Sequence, residues 1–288
     1  MTRRLGFGFS PCPNDTFAFW SAVHGIDRAP GLELEPVLAD IETLNERAAA
    51  GVDPLPVTKL SLPALARVAD RYAVLPAGAA LGFGCGPLVV CRDDARWRSL
   101  QDLAEARVAI PGRLTTASLL FAAFAPPPRA SVAMPFERVM PAVAAGDCDA
   151  GLVIHEGRFT YAGLGLRAIA DLGDIWERTT GGPLPLGVIA ARRDLDAAVF
   201  AAVGDLLRRS IRTARRAPER PRAWVRAHAQ ELADDVQDRH IALYVNDFSE
   251  DLGDLGRRAI ETLLARGREL GLLPQGPSPF REEGCSSR

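Results

Sequence analysis

The run 81-LGFGCGPLVV-90 decides the fold of this chain. Gly82, Gly84 and Gly86 superficially match a phosphate-cradling glycine motif. Such a motif must open a helix, whereas Pro87 and Leu88-Val89-Val90 open a strand, so a nucleotide loop is excluded. A glycine-rich strand feeding an apolar one reads instead as a crossover between two lobes. A matching element, 181-GGPLPLGVIA-190, carries Pro183, Pro185 and Gly187 ahead of Val188-Ile189-Ala190. Two such elements predict a discontinuous domain in which the chain leaves one lobe, builds another and returns. The expected fold is α/β and two-lobed, with a ligand cleft between the lobes and two crossover strands. Lobe 1 is expected over residues 1–87 and 190–288, and lobe 2 over residues 88–189.

Working outward, three strand–loop–helix junctions recur. The first runs from a strand at residues 5–9 into 10-SPCPNDT-16, where two prolines forbid continuing the strand and predict a rigid loop. Asn14 or Asp15 is then placed to cap a helix over residues 16–24. The second runs from Val57-Thr58-Lys59-Leu60-Ser61 into a helix over residues 62–69, with Ser61 as its cap. The third runs from Val108-Ala109-Ile110 through 111-PGRLTT-116 into a helix over residues 117–125. Each puts backbone N–H groups and a positive helix end at the crevice, which suits a carboxylate. Plain helix capping explains one such junction, but three are hard to explain by capping alone. Lys59 is the single lysine among 34 basic residues. It reads either as a surface lysine beside a cap or as a compact ammonium for an anionic ligand.

The segment 146-GDCDAGLVIHEGRFTY-161 reads as a helix end, a tight turn and a buried strand that stops at His155. Strand C-termini face the ligand crevice of an open α/β sheet, and an imidazole there suits proton transfer. The bland alternative is a histidine satisfying a backbone carbonyl. Glu156 is not assigned, because neighbouring side chains on a strand face opposite ways. Tyr161 and the glycines beyond it are expected to line the crevice as a loop, and Ile175 and Trp176 to form an apolar wall. Helices are expected over residues 195–216, 221–232 and 251–270, followed by a frayed tail over residues 278–288.

Composition narrows the class. With 288 residues, 48% hydrophobic and 24% charged, the chain can bury sizeable cores. Its net charge of −2 points to neither nucleic acid nor an anionic membrane. The arginine-rich helix from residue 195 lacks aromatic platforms and reads as a solvated face. Cys12, Cys85, Cys91, Cys148 and Cys285, with His24, His155, His228 and His240, show no metal-ligand spacing, so no metal site is expected. No signal peptide or membrane span is read, and a cytoplasmic location is expected.

SPCPNDTFAFW at residues 10–20, VTKLS at 57–61, PGRLTTA at 111–117, IHEGRFTY at 154–161 and YVNDFSEDLGDLGRRAIETL at 244–263 resemble the 1,4-dihydroxy-6-naphthoate synthase family. That family belongs to the futalosine route to menaquinone. The resemblance is collinear over nearly the whole chain. It implies a fold like a type II periplasmic binding protein and a cofactor-free carbon–carbon cleavage of cyclic dehypoxanthinylfutalosine. It implies His155 as general base, with Asn14, Lys59, Leu60, Ser61, Thr115, Thr116 and Ala117 binding the carboxylated substrate. The sister enzyme that dehydrates chorismate is the nearest alternative, and a transporter's solute-binding protein or an effector-sensing module are others. The expected partner is a small carboxylate, with no nucleic acid and no membrane insertion. An exposed apolar patch could support a homodimer. The unliganded form is expected to be open, with the crossovers bending near Gly86 and Gly187.

Overall fold

The computed structural model of the protein describes residues 2–229 and 233–281. Lobe 1 is built on β1 (Arg3–Phe9), β2 (Leu32–Leu38), β3 (Val57–Ser61), β4 (Tyr72–Val74) and β5 (Ala80–Gly82). Lobe 2 follows with β6 (Leu88–Arg92), β7 (Arg107–Ile110), β8 (Ala130–Ala133), β9 (Ala150–Val153) and β10 (Leu166–Asp171). The chain then returns as β11 (Leu184–Arg192). The first sheet has the order β2-β1-β3-β11-β4 with β5 also on β11, and the second the order β10-β6-β9-β7-β8.

The crossovers explain why both sheets are mixed. Strands whose C-termini face the cleft run parallel, as β1 does with β2 and β3, and β7 with β8 and β9. A strand that enters a lobe from the cleft must run away from it. Accordingly β6 is antiparallel to β9 and β10, and β11 is antiparallel to β3, β4 and β5. By pairing, the first sheet takes the chain back at Leu184, so residues 184–189 join lobe 1 ahead of the expected boundary. One buried apolar cluster spans both lobes, from Leu60, Leu62 and Leu65 through Leu81 to Val89 and Leu120.

Several local expectations are corrected. The first helix starts at Pro13, not residue 16, and runs to Val23; its N-cap is Cys12, without a side-chain cap bond. Proline is well suited to the first helical position, where no N–H is needed, so the residues read as loop form the opening turn. The tail also differs: the Val74 N–H donates to the Pro279 carbonyl at 2.8 Å and Phe280 is buried. Residues 282–288, with Cys285, lie outside the described residues, as does the stretch 230–232 of the helix expected to end there; that helix is Arg222–His228. The elements that the sequence reading misses include strand β10 and the helices Leu172–Thr180 and Asp234–Tyr244. Among the described residues, no helix is long and apolar enough to cross a membrane.

Gly86, between β5 and β6, packs backbone to backbone on Gly173. A Cβ there would fall 2.2 Å from the Gly173 Cα and 2.3 Å from its nitrogen, and backbone cannot swing aside. Gly86→Ala is therefore expected to lower stability by about 1–3 kcal/mol. Gly163→Ala, where an added Cβ meets nothing within 4 Å, serves as the control. Equal urea midpoints for the two variants would contradict the close approach.

Candidate active site

Between the lobes lies a cavity lined by Asn14, Lys59 and Ser61 from lobe 1 and by Thr115, Thr116, Ala117 and His155 from lobe 2. Leu60, expected among the binding residues, faces the other way. Alternation along β3 sends Lys59 and Ser61 to the cleft and Leu60 into the core.

Lys59 is not a surface lysine, nor does it wait for a ligand with its charge unbalanced. Its Nζ donates to both Asp15 carboxylate oxygens at 2.6 Å, and both side chains are about 95% buried. A buried ammonium without a counter-ion would cost several kcal/mol, which explains why the charge is balanced from within. Asp15 also accepts from the Ser10 N–H at 3.1 Å and from Asn14 Nδ2 at 2.8 Å. Asn14 therefore turns its Oδ1 to His240 Nε2, 2.9 Å away. Since that oxygen can only accept, Nε2 of His240 carries the hydrogen.

Carboxylate donors come from the junctions. Thr115 is the N-cap of the helix Thr116–Phe124, accepting from the Ser118 N–H. The N–H groups of Thr116 and Ala117, at the first two helical positions, have no intrahelical acceptor. The threonine hydroxyls themselves are committed to structure: Thr115 donates to the Gly112 carbonyl at 3.0 Å and Thr116 to the Leu186 carbonyl at 2.6 Å. Ser61 stands at its helix N-cap without a side-chain cap bond. Its Oγ accepts from Asn45 Nδ2 at 3.2 Å, which leaves its own hydrogen to donate toward the cavity. Asn45 and Glu42 also grip lobe 2, for the Leu114 N–H donates to Glu42 Oε1 at 2.9 Å and Asn45 Nδ2 to the Leu114 carbonyl at 3.3 Å.

His155 sits two residues beyond the end of β9, at a left-handed φ of 55°. Histidine is among the few non-glycine residues enriched there, and such strain concentrates at functional positions. The residue is partly exposed at the cleft, yet its Nε2 is sealed from solvent with no hydrogen-bond partner among the described residues. Burial, helped by the Lys59 charge, pushes its pKa down to about 3, so the imidazole is neutral and able to accept a proton. The turn also gathers what a strand would separate. Glu156 is buried, and its carboxylate, the Cys12 thiol and a His155 nitrogen lie within 4.8 Å of one another. Arg158, two residues on, pairs with Asp171 at 2.7 Å and donates to the Gly86 carbonyl, tying the turn to the crossover.

Two residues of the helix Asp234–Tyr244 also belong to this wall. His240 is fully buried, its ring centroid 6.1 Å from that of His155, and burial holds its pKa well below the ordinary value. Tyr244 lines the cavity and donates to the Cys85 carbonyl at 3.2 Å. Val236, His240 and Tyr244 at i, i+4, i+8, after the acidic first turn Asp234-Asp235, were the available signal.

A family model described as menaquinone biosynthesis matches residues 5–269. A relative from Thermus thermophilus, named 1,4-dihydroxy-6-naphtoate synthase, is 49% identical over 96% of this chain and 98% of its own. A crystal structure of an Archaeoglobus fulgidus protein aligns with a TM-score of 0.86 and 36% identity, covering 94% of this chain and 98% of that one. The alkanesulfonate-binding protein SsuA of Xanthomonas axonopodis pv. citri aligns at a TM-score of 0.70 and 16% identity over 96% of both chains. The fold is that of a periplasmic binding protein, as expected from the sequence resemblance.

Asp15→Asn leaves the Lys59 ammonium buried and unpaired, so a loss of about 3–5 kcal/mol is expected, with Asp15→Asn/Lys59→Met recovering much of it. A double variant no more stable than Asp15→Asn in urea melts would contradict this. An unfolded imidazole titrates near 6.5. Below that value the unfolded chain binds protons that native His155 and His240 refuse. Stability should then fall as pH drops from about 6.5 toward 3, by at most about 1.4 kcal/mol per pH unit for each imidazole. Above pH 6.5 these groups add no slope. Urea midpoints of His155→Gln should fall less steeply with acid, and an unchanged slope would contradict the assignment.

Proposed function

We propose, for a chain that belongs to the menaquinone biosynthesis family, that it is a carbon–carbon lyase releasing 1,4-dihydroxy-6-naphthoate from cyclic dehypoxanthinylfutalosine. The observation that carries this reading is the neutral His155 imidazole lining the same cavity as Thr116 and Ala117, which open a helix there. In this reading the substrate carboxylate docks on those amides and on the Ser61 hydroxyl. Asn14 adds a polar contact from lobe 1. The Lys59–Asp15 pair contributes a fixed dipole beneath the ligand and no net charge.

His155 then removes a proton from the sugar-derived ring. The electron pair left behind breaks the bond to the bicyclic ring in a retro-aldol sense, and aromatisation of that ring drives the step forward. Burial keeps the base unprotonated and excludes water that would compete for the substrate proton, at the cost of a weaker base. The reaction is proposed to need no cofactor and to take place in the cytoplasm, in keeping with a biosynthetic relative.

The test is turnover of cyclic dehypoxanthinylfutalosine by the purified protein without added cofactor, read by the mass and absorbance of the naphthoate. His155→Ala is expected to lower kcat by about 10²–10⁴-fold while its fold is retained. Wild-type turnover by His155→Ala would sink the base assignment, and dehydration of chorismate in place of naphthoate release would sink the substrate assignment.

A further inference from the structure

The spacing of cysteines and histidines along the chain contains no ligand set, but folding assembles one. Cys12 caps the first helix of lobe 1, and His155 and Glu156 leave β9 in lobe 2. The Cys12 Sγ, a His155 nitrogen and a Glu156 carboxylate oxygen all lie within 4.8 Å of one another. We propose that these three residues bind a thiophilic divalent cation such as Zn²⁺ across the junction of the lobes.

Ligand chemistry favours such an ion, since thiolate, imidazole and carboxylate are the donors zinc takes, with a fourth position left to water or another ligand. The neutral imidazole is the third donor, and its sealed Nε2 has no hydrogen-bond partner among the described residues. Tetrahedral bonds of about 2.0–2.3 Å need donors roughly 3.3–3.8 Å apart, so the group must contract by ~1 Å.

Binding is an exchange without redox chemistry: the ion forms a sulfur bond as the thiol proton leaves for solvent. Burial, with the Glu156 charge adding to it, holds the thiol protonated until then. Because Cys12 belongs to one lobe and the other two ligands to the second, the ion clamps the lobes together. It also occupies the lone pair of His155, so on the reading proposed above it opposes turnover instead of serving it.

The test uses chelator-treated full-length protein and the metals alone. Co²⁺ titration should raise a thiolate-to-cobalt charge-transfer band in the near ultraviolet. Zn²⁺ calorimetry in buffers of different ionisation enthalpy should show one proton released per bound ion. Cys12→Ser should abolish the band, and Cys12→Ser and Glu156→Gln should each weaken Zn²⁺ binding at least tenfold, with metal-free melting temperatures confirming that they fold. Should Cys12→Ser not fold, the near-isosteric Glu156→Gln decides alone. Unchanged affinity in the folded variants, or no binding by the wild-type chain, would overturn the site. None of these readouts involves turnover, so the site and the lyase reading stand or fall separately.

Discussion

The buried ion pair of Lys59 and Asp15 is the constraint on which the site depends. Two charges taken out of water are tolerable only when matched closely and when their remaining valences are satisfied. Lys59 brings its charge from the middle of β3, and Asp15 from the first turn of the helix that follows β1. Matching them fixes the two strand-to-helix junctions of lobe 1 relative to each other. Through Asn14 the same carboxylate reaches His240, so the helix Asp234–Tyr244 is held at the back of the cleft by hydrogen bonds that start at the ion pair. The first turn of a helix is also where an acidic side chain is favoured by the helix dipole, so Asp15 is stabilised twice over.

The second lobe is joined to this platform by polar contacts that leave the cavity open between them. Asn45 does the most, since one amide holds Ser61 by both its side chain and its N–H and reaches the Leu114 carbonyl across the cleft. Thr116 accepts from the Leu62 N–H at 3.3 Å while donating to Leu186, both on lobe 1. The threonine hydroxyls that look like ligand groups in the sequence are therefore the stitching, and the groups facing a ligand include backbone amides and one serine hydrogen. Arg158 fixes the His155 turn to Gly86, so the base and the crossover are mechanically one unit.

Much of this was legible in the chain. The crossover runs around Gly86 and Gly187 imply two lobes, and the polar junctions at residues 10–16, 57–61 and 111–117 imply a cleft that binds an anion. What the sequence hid was pairing in space. Lys59 stands out as the only lysine, but nothing in its neighbourhood says that Asp15 will cancel it. Asp15 looked like a cap because a loop was read where Pro13 begins the helix. His240 lies in a segment whose charged residues mask the i, i+4 wall of Val236, His240 and Tyr244. Glu156 was set aside by strand alternation, a rule that lapses at the left-handed turn of His155. Leu60 was carried into the site by its motif, though the period-two alternation of β3 places it in the core.

A neutral imidazole is held at the wall of the cavity between the lobes, and the most direct measurement of it is the protonation state of His155. Nitrogen-15 NMR of the imidazoles in the folded protein, with His155→Gln to assign the resonance, reads that state as pH is lowered. The account predicts a neutral ring with no titration near 6.5, its protonation deferred toward the depressed value of about 3 or to acid unfolding, whichever comes first. A resonance from folded protein that titrates with a midpoint near 6.5 would contradict it, since such an imidazole would be solvated as in the unfolded chain.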